Sequence, residues 1–341
     1  MVKKILRIIC YILAVSVFLF GALVYFYPVI SRSITSENTQ ENLEIFREMR
    51  VVKTGESQPQ NENKESTPAQ PQGSSQQNES SKPDEQYTDL YNDMKSYNER
   101  IFTEGQKNLK DAWSYEQSGF YLGDYGLYDG IAAELRIPEM NCDIPLYLGA
   151  TLNNMAYGAA QLGETSMPIG GKNTNCVIAA HRGASTGDFF LYIENLKKGD
   201  KVYIDNLWET LTYKVARIEI ISPDDIDRIL IEKDKDMITL ITCHPYPYNY
   251  QRYAVFCERD ESGSSAGVAD NTEAESESTT KIAEETLTTS IDIDKENEKN
   301  SSQGFIVFER ALYIIVPVLL IILTVILFLP PLIKRKKNNG K

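Results

Sequence analysis

The sequence predicts a mainly β protein, one closed β-barrel domain held between two membrane-spanning helices by polar linkers. Three observations predict it. From about residue 130 the chain breaks into short alternating or β-branched runs, closely spaced, with turn residues between them and few helical stretches, which is how a barrel reads. Strongly apolar runs occupy residues 5–30 and Leu312 to Ile333, each long enough to cross ~30 Å of hydrocarbon. The segments next to them are too polar to bury a core, so the folded module is confined to about residues 90–260, one domain of ordinary size.

Residues 1–30 are expected to be an uncleaved signal anchor. Lys3, Lys4 and Arg7 precede or enter the run, and it leaves through Tyr25-Phe26-Tyr27-Pro28, an aromatic interface belt. The run is longer than the apolar core of a cleaved signal peptide. Residues 31–86 read as an extracellular linker, partly helical and polar over 33–60 and dominated by Gln, Ser, Asn, Pro and Glu over 56–86. Residues 87–129 open with an amphipathic helix, because Leu90, Tyr91, Met94, Tyr97, Asn98, Ile101 and Phe102 recur at helical spacing.

The barrel is expected over 130–260. Its strands are Ile131 to Ile137, Ile144 to Tyr147, Cys176 to Ala180, Lys201 to Ile204, Leu211 to Ile221, Met237 to Thr242 and Arg252 to Cys257. Gly149 to Gly171 reads as turn and loop, and Pro223 to Leu230 as a short helix with Ser222 at its N-cap. Residues 261–304 form an acidic tether. From Asp260 to Lys299 there are twelve Asp or Glu and three Lys, a net of −9 out of the chain's −13. Such a segment is solvated and self-repelling, so the acidity points to no acid-specific partner. The second span, 312–333, runs into a basic tail, 334–341. Basic flanks stay in the cytoplasm, so both termini are expected there and the folded domain outside the cell. No basic stripe exists beyond the membrane flanks, which excludes nucleic-acid binding.

Five cysteines stand at positions 10, 142, 176, 243 and 257 without C-x-x-C spacing, which argues against structural zinc. Cys243 ends the buried run Met237-Ile238-Thr239-Leu240-Ile241-Thr242, and His244-Pro245-Tyr246-Pro247 stops that strand at once, so the sulfur sits at a rim. A lone strand cysteine is usually a small buried hydrophobe; a rim position is where a nucleophile could be reached. His181 ends a similar dry run, Val177-Ile178-Ala179-Ala180, and opens a loop of small residues. The other histidine, His244, follows Cys243 directly and on a strand points to the opposite face, which favours His181 as acid or base. Arg252 returns nine residues after Cys243, the distance of a neighbouring antiparallel strand, as a donor fork for a developing oxyanion. Cys, His and Arg at strand ends are the parts of acyl transfer through a thioester.

Thr239-Leu240-Ile241-Thr242-Cys243, with Arg252 after it and Ala180-His181-Arg182-Gly183 before it, resembles the sortases, the cysteine transpeptidases of Gram-positive cell surfaces. The resemblance covers about residues 90–260 and implies an eight-stranded barrel. Gly158 to Gly171, Ile137-Pro138-Glu139-Met140 and the second apolar span look most like the pilin-polymerising class C. That class carries an N-terminal lid with an Asp-Pro-aromatic motif; Asp111-Ala112-Trp113 matches it except for Ala at the Pro position, which loosens the loop backbone.

The resemblance implies that Cys243 attacks the Thr carbonyl of an LPxTG-like sorting signal, that Arg252 stabilises the oxyanion, that His181 protonates the departing amine, and that Thr242, Asp111 and Trp113 line the site or its lid. It implies a Cys243 thiolate, favoured by a cationic His and Arg, and no metal or organic cofactor. The implied partners are secreted proteins with C-terminal sorting signals, pilin subunits first among them, and the lipid bilayer. The acceptor would be a pilin lysine. A peptidoglycan cross-bridge, or a non-catalytic membrane-tethered binding module that keeps the barrel, are the alternatives.

Overall fold

The computed structural model describes residues 2–54, 87–116, 120–127, 130–183, 187–261 and 303–319. The expected acidic tether and basic tail fall almost wholly outside them, as do the linker from residue 55 to 86 and the second span beyond residue 319.

The first helix, α1, runs Val2–Thr54, and α2 runs Thr88–Glu104. Eight strands follow: β1 Ile131–Ile137, β2 Cys142–Leu148, β3 Ala159–Gln161, β4 Thr174–Ala179, β5 Lys201–Asn206, β6 Thr210–Ile221, β7 Asp236–His244 and β8 Gln251–Arg259. They close in the order β1-β2-β3-β4-β7-β8-β6-β5. β2–β3 and β4–β7 pair in parallel and the other pairs are antiparallel.

Two apolar layers explain the strand sequences. The barrel interior takes one side chain in two from every strand: Leu135, Leu146, Ala159, Ile178, Ile204, Val215, Leu240 and Val255 are among them. The outer face of β4, β7 and β8 is not left to water. Val177, Ala179, Met237, Ile241, Ala254 and Phe256 belong to a second apolar cluster, which also takes in Leu90 and Met94 of α2 and Phe46 of α1. A strand dry on both faces reads as a continuous apolar run and not as an alternating one, which is why Met237 to Thr242 looked fully buried in sequence.

The structure departs from expectation in three places. The 149–171 stretch is not only loop: it holds a helical turn, α3, Leu152–Tyr157, and β3. Three residues of Ala-Ala-Gln are too few to carry a period, and β3 exists because it bridges β2 and β4. Gly158 sets its approach, since a Cβ there would lie 2.5 Å from the Pro145 carbonyl oxygen. The short helix after β6 is a single 3-10 turn, Ile226–Ile229, with Asp225 and not Ser222 at the N-cap position; the Ser222 N–H donates to the Asp225 carboxylate at 2.9 Å. Residues 31–54 are not linker: they continue α1, with Leu43 and Phe46 fully buried. Arg47 pairs there with Glu134 of β1, and Arg50 with Asp205 of β5 at 3.2 Å. Among the described residues no helix is long and apolar enough to cross a membrane.

By internal contact the chain forms two units, residues 28–244 with 249–268, and residues 1–27 with 245–248 and 269–341. The first contains the barrel, α2 and the second half of α1. In the second, the Tyr246 ring packs edge-on against Phe305, 5.9 Å between centroids.

Candidate active site

The expected trio converges at one end of three neighbouring strands. Across β7 and β8, Cys243 stands directly opposite Arg252. Along the parallel pair β4–β7, Ala179 faces Ile241. The pairing continues past the strand end through Ala180 N–H to the Ile241 carbonyl, 3.3 Å, which carries His181 to the level of Cys243. Alternation then sets the face. Ala179, Ile241 and Ala254 lie in the outer layer, so His181, Cys243 and Arg252, each two residues along, share that outer side.

Thr242 belongs to the opposite face. It is fully buried, and its hydroxyl donates to the Ala180 carbonyl at 2.7 Å. Its expected place on the substrate or lid side is thus corrected: it ties β7 to the chain leaving β4 from inside the barrel. His244 points inward as well and is 1% exposed.

The outer side is covered. After α2 the chain folds back into a 3-10 turn, Ala112–Ser114, with Asp111 as its N-cap accepting from the Trp113 N–H at 3.1 Å. The same carboxylate takes both arms of the Arg252 fork, Nε to Oδ1 at 2.7 Å and Nη2 to Oδ2 at 2.8 Å. Arg252 Nη1 donates to the Gln251 and Asn249 carbonyls at 2.9 and 3.2 Å. The Trp113 ring lies 4.5 Å from the guanidinium carbon and meets the His181 ring edge-on at 6.4 Å. Ala112 is buried. Beneath this cover, beside Arg252, Ile241 and Leu162, a cavity of about 10 Å³ is left, room for one water at most. A larger cleft, about 680 Å³, opens at the far ends of β7 and β8 around Asp236 and Arg259, away from the three converging side chains.

Burial governs the protonation states. Cys243 is 8% exposed. Desolvation pushes its thiol up to about 11; the Arg252 charge opposes this and Asp111 reinforces it. The reachable thiolate expected from the sequence is therefore corrected to a buried neutral thiol in this closed arrangement. Burial also lowers the pKa of His181, which favours neutral imidazole. Tyr115, whose hydroxyl is pushed up by burial and then by Cys243 and Asp111, completes the cover. No spacing singled it out; its place beside Trp113 in an aromatic-rich stretch was the only signal. Cys142, Cys176 and Cys257 are buried free thiols, so no disulfide joins them. Among the described residues no group of three His, Cys, Asp or Glu is placed to hold a metal ion.

The family model described as the sortase domain matches residues 135–260, which contain His181, Cys243 and Arg252. The chain carries a sortase domain. Its curated relatives include "Sortase A" of Bacillus anthracis, 32% identical over 125 residues, covering 37% of this chain and 58% of that one. "Sortase D" of Bacillus subtilis is 25% identical over 158 residues, covering 46% and 74%. Among solved structures, sortase C1 of Streptococcus agalactiae gives a TM-score of 0.47 at 29% identity, covering 51% of this chain and 90% of that one. Sortase C of Clostridium perfringens gives 0.43 at 33%, covering 52% and 91%. The chain spans 58% and 53% of the lengths of two curated sortase A relatives. The matched span begins at Leu135, so Asp111 and Trp113 lie outside it.

Proposed function

We propose that this sortase domain is a lid-gated cysteine transpeptidase that cuts an LPxTG-like sorting signal and joins the new acyl end to an amine, a pilin lysine. One observation carries the proposal: Cys243, Arg252 and His181 meet on one face at one end of adjacent strands.

The chemistry follows from their places. When the cover lifts, water reaches the sulfur and the Asp111 carboxylate leaves, and both changes lower the Cys243 pKa. The thiol proton passes to His181. The thiolate attacks the scissile carbonyl, and the oxyanion takes the Arg252 fork that Asp111 occupies in the closed state. His181 as imidazolium returns the proton to the departing amine, and the C–N bond breaks to leave a thioester on Cys243. The acceptor amine then adds to the thioester carbonyl, loses its proton to His181 and expels the thiolate. Asp111 places anionic oxygens on the same Arg252 donors that the single oxyanion of the tetrahedral intermediate would use, which supports a lid that must open before substrate enters. Tethering in the bilayer, read from the two apolar runs, would confine the enzyme to the surface where its anchored substrates lie.

Incubation of the protein with a labelled LPxTG-containing peptide and a lysine amine tests this. Cleavage with thioester capture and amine transfer is expected, and Cys243→Ala abolishes both at an unchanged melting temperature. An equal rate in that variant would refute the role of Cys243. Transfer to a peptidoglycan cross-bridge amine in preference to a pilin lysine would move the acceptor assignment while leaving the mechanism in place.

A further inference from the structure

Directly behind the candidate site, on the inner side of the sheet, lies a cluster of ionisable groups that the reaction does not use. Arg182 follows His181, and His244 follows Cys243. Alternation therefore turns this pair inward as it turns the other pair outward. Arg182 Nη2 lies 2.6 Å from Glu194 Oε1, with side chains 1% and 5% exposed. His244 Nδ1 lies 3.3 Å from the same carboxylate oxygen and 3.2 Å from Arg182 Nη1. Arg182 Nη1 also reaches the Cys243 carbonyl oxygen at 3.4 Å. Glu194 comes from a separate 3-10 turn, Ile193–Asn195. The Tyr253 ring closes the cluster 5.5 Å from the imidazole.

Such a cluster is a poor way to add stability. Taking three polar groups out of water costs about as much as their attraction returns, and apolar side chains of equal volume are often as stable. What the cluster does supply is fixed geometry. It clamps the residue after His181 to the residue after Cys243, and Thr242 to Ala180 makes a second tie two residues earlier on each strand. The two outward side chains then have little freedom to drift apart.

We propose that Arg182, Glu194 and His244 are positioning residues for the transfer reaction: a buried ionic latch that holds Cys243 and His181 in register. The proposal rests on the reading that these two carry the chemistry. The decisive variant is Arg182→Met with Glu194→Met, which removes both charges at similar volume and leaves no lone buried ion. It is expected to melt near the wild-type temperature while kcat for sorting-peptide hydrolysis falls about tenfold to a hundredfold with KM little changed, the scale of a misplacement near 1 Å. His244→Leu is expected to lose kcat in the same way. His244→Asn, which returns a polar atom close to the Nδ1 position, recovers most of that loss. A purely structural cluster would instead move the melting temperature and spare kcat. A folded double variant with wild-type kcat overturns the latch alone, and so does wild-type kcat in His244→Leu, which decides the matter if the double variant does not fold. Absence of cleavage by the wild-type protein itself overturns the latch together with the reading it rests on.

Discussion

Cys243 is held in its least reactive form, and the cause lies in its immediate surroundings. Desolvation comes first and Asp111 adds to it, while Arg252 is engaged elsewhere. Because the folded value is raised, to about 11 from 9.0, the thiol contributes stability that is present below about 9 and lost as the pH rises through about 11. Asp111→Ala removes a carboxylate that raises the thiol pKa and two charge-assisted hydrogen bonds that keep the cover shut, together on the order of 2 kcal/mol or more. The alkylation rate of Cys243 against pH, followed by peptide mass spectrometry, should reach half-maximum at a lower pH in this variant. The rate at pH 7 should rise by roughly thirtyfold, the factor equivalent to 2 kcal/mol. Cys142 does not interfere, since burial pushes it up to about 12. A profile superimposable on wild type would separate Asp111 from control of the thiol.

At the scale of the element, the 3-10 turn Ala112–Ser114 works as a unit because Asp111 both caps it and grips Arg252. Trp113 adds its ring over the guanidinium, a contact worth roughly 1–2 kcal/mol when desolvated. Trp113→Ala should therefore raise peptide hydrolysis by about tenfold. No change in hydrolysis and none in Cys243 labelling would count against a gating role for the turn. Ala112 stands at the first position of the turn after an extended Asp111, φ −56° and ψ 140°, a setting that suits proline. Ala112→Pro should hold the cover shut more often and slow hydrolysis by about two- to fivefold, the equivalent of ~0.4–1 kcal/mol from a less flexible open chain. Faster hydrolysis in this variant would mean that the ring does not fit the buried position.

Over the whole first unit, the second half of α1 is part of the domain and not a spacer. Phe46 is fully buried in the outer layer that also holds Leu90 and Met94. Phe46→Ala should cost about 3–5 kcal/mol and lower the melting temperature by roughly 10 °C for a domain of this size. Ile45→Ala on the exposed side, 41% exposed, should stay within about 0.5 kcal/mol. Circular dichroism melts of the two variants decide this, and equal melting temperatures would return residues 31–54 to the status of a linker.

Much of this molecule was legible in its residues. Period-2 patterns and β-branched runs gave seven of the eight strands, because each carries enough residues to repeat. Cys243, His181 and Arg252 stood out because each closes or opens such a run. The sequence even separated His244 from His181, by alternation alone. Three things could be decided only in three dimensions. β3 has no pattern of its own and is made by its neighbours on both sides. Glu194 sits in Tyr-Ile-Glu-Asn-Leu with nothing to mark it, and its meeting with Arg182 and His244 depends on a turn that packs across the barrel end. The protonation of Cys243 is the third, because a cation nearby in sequence says nothing about which carboxylate occupies it or how much water remains. Local patterning fixes which face a side chain takes; only packing fixes what desolvates it.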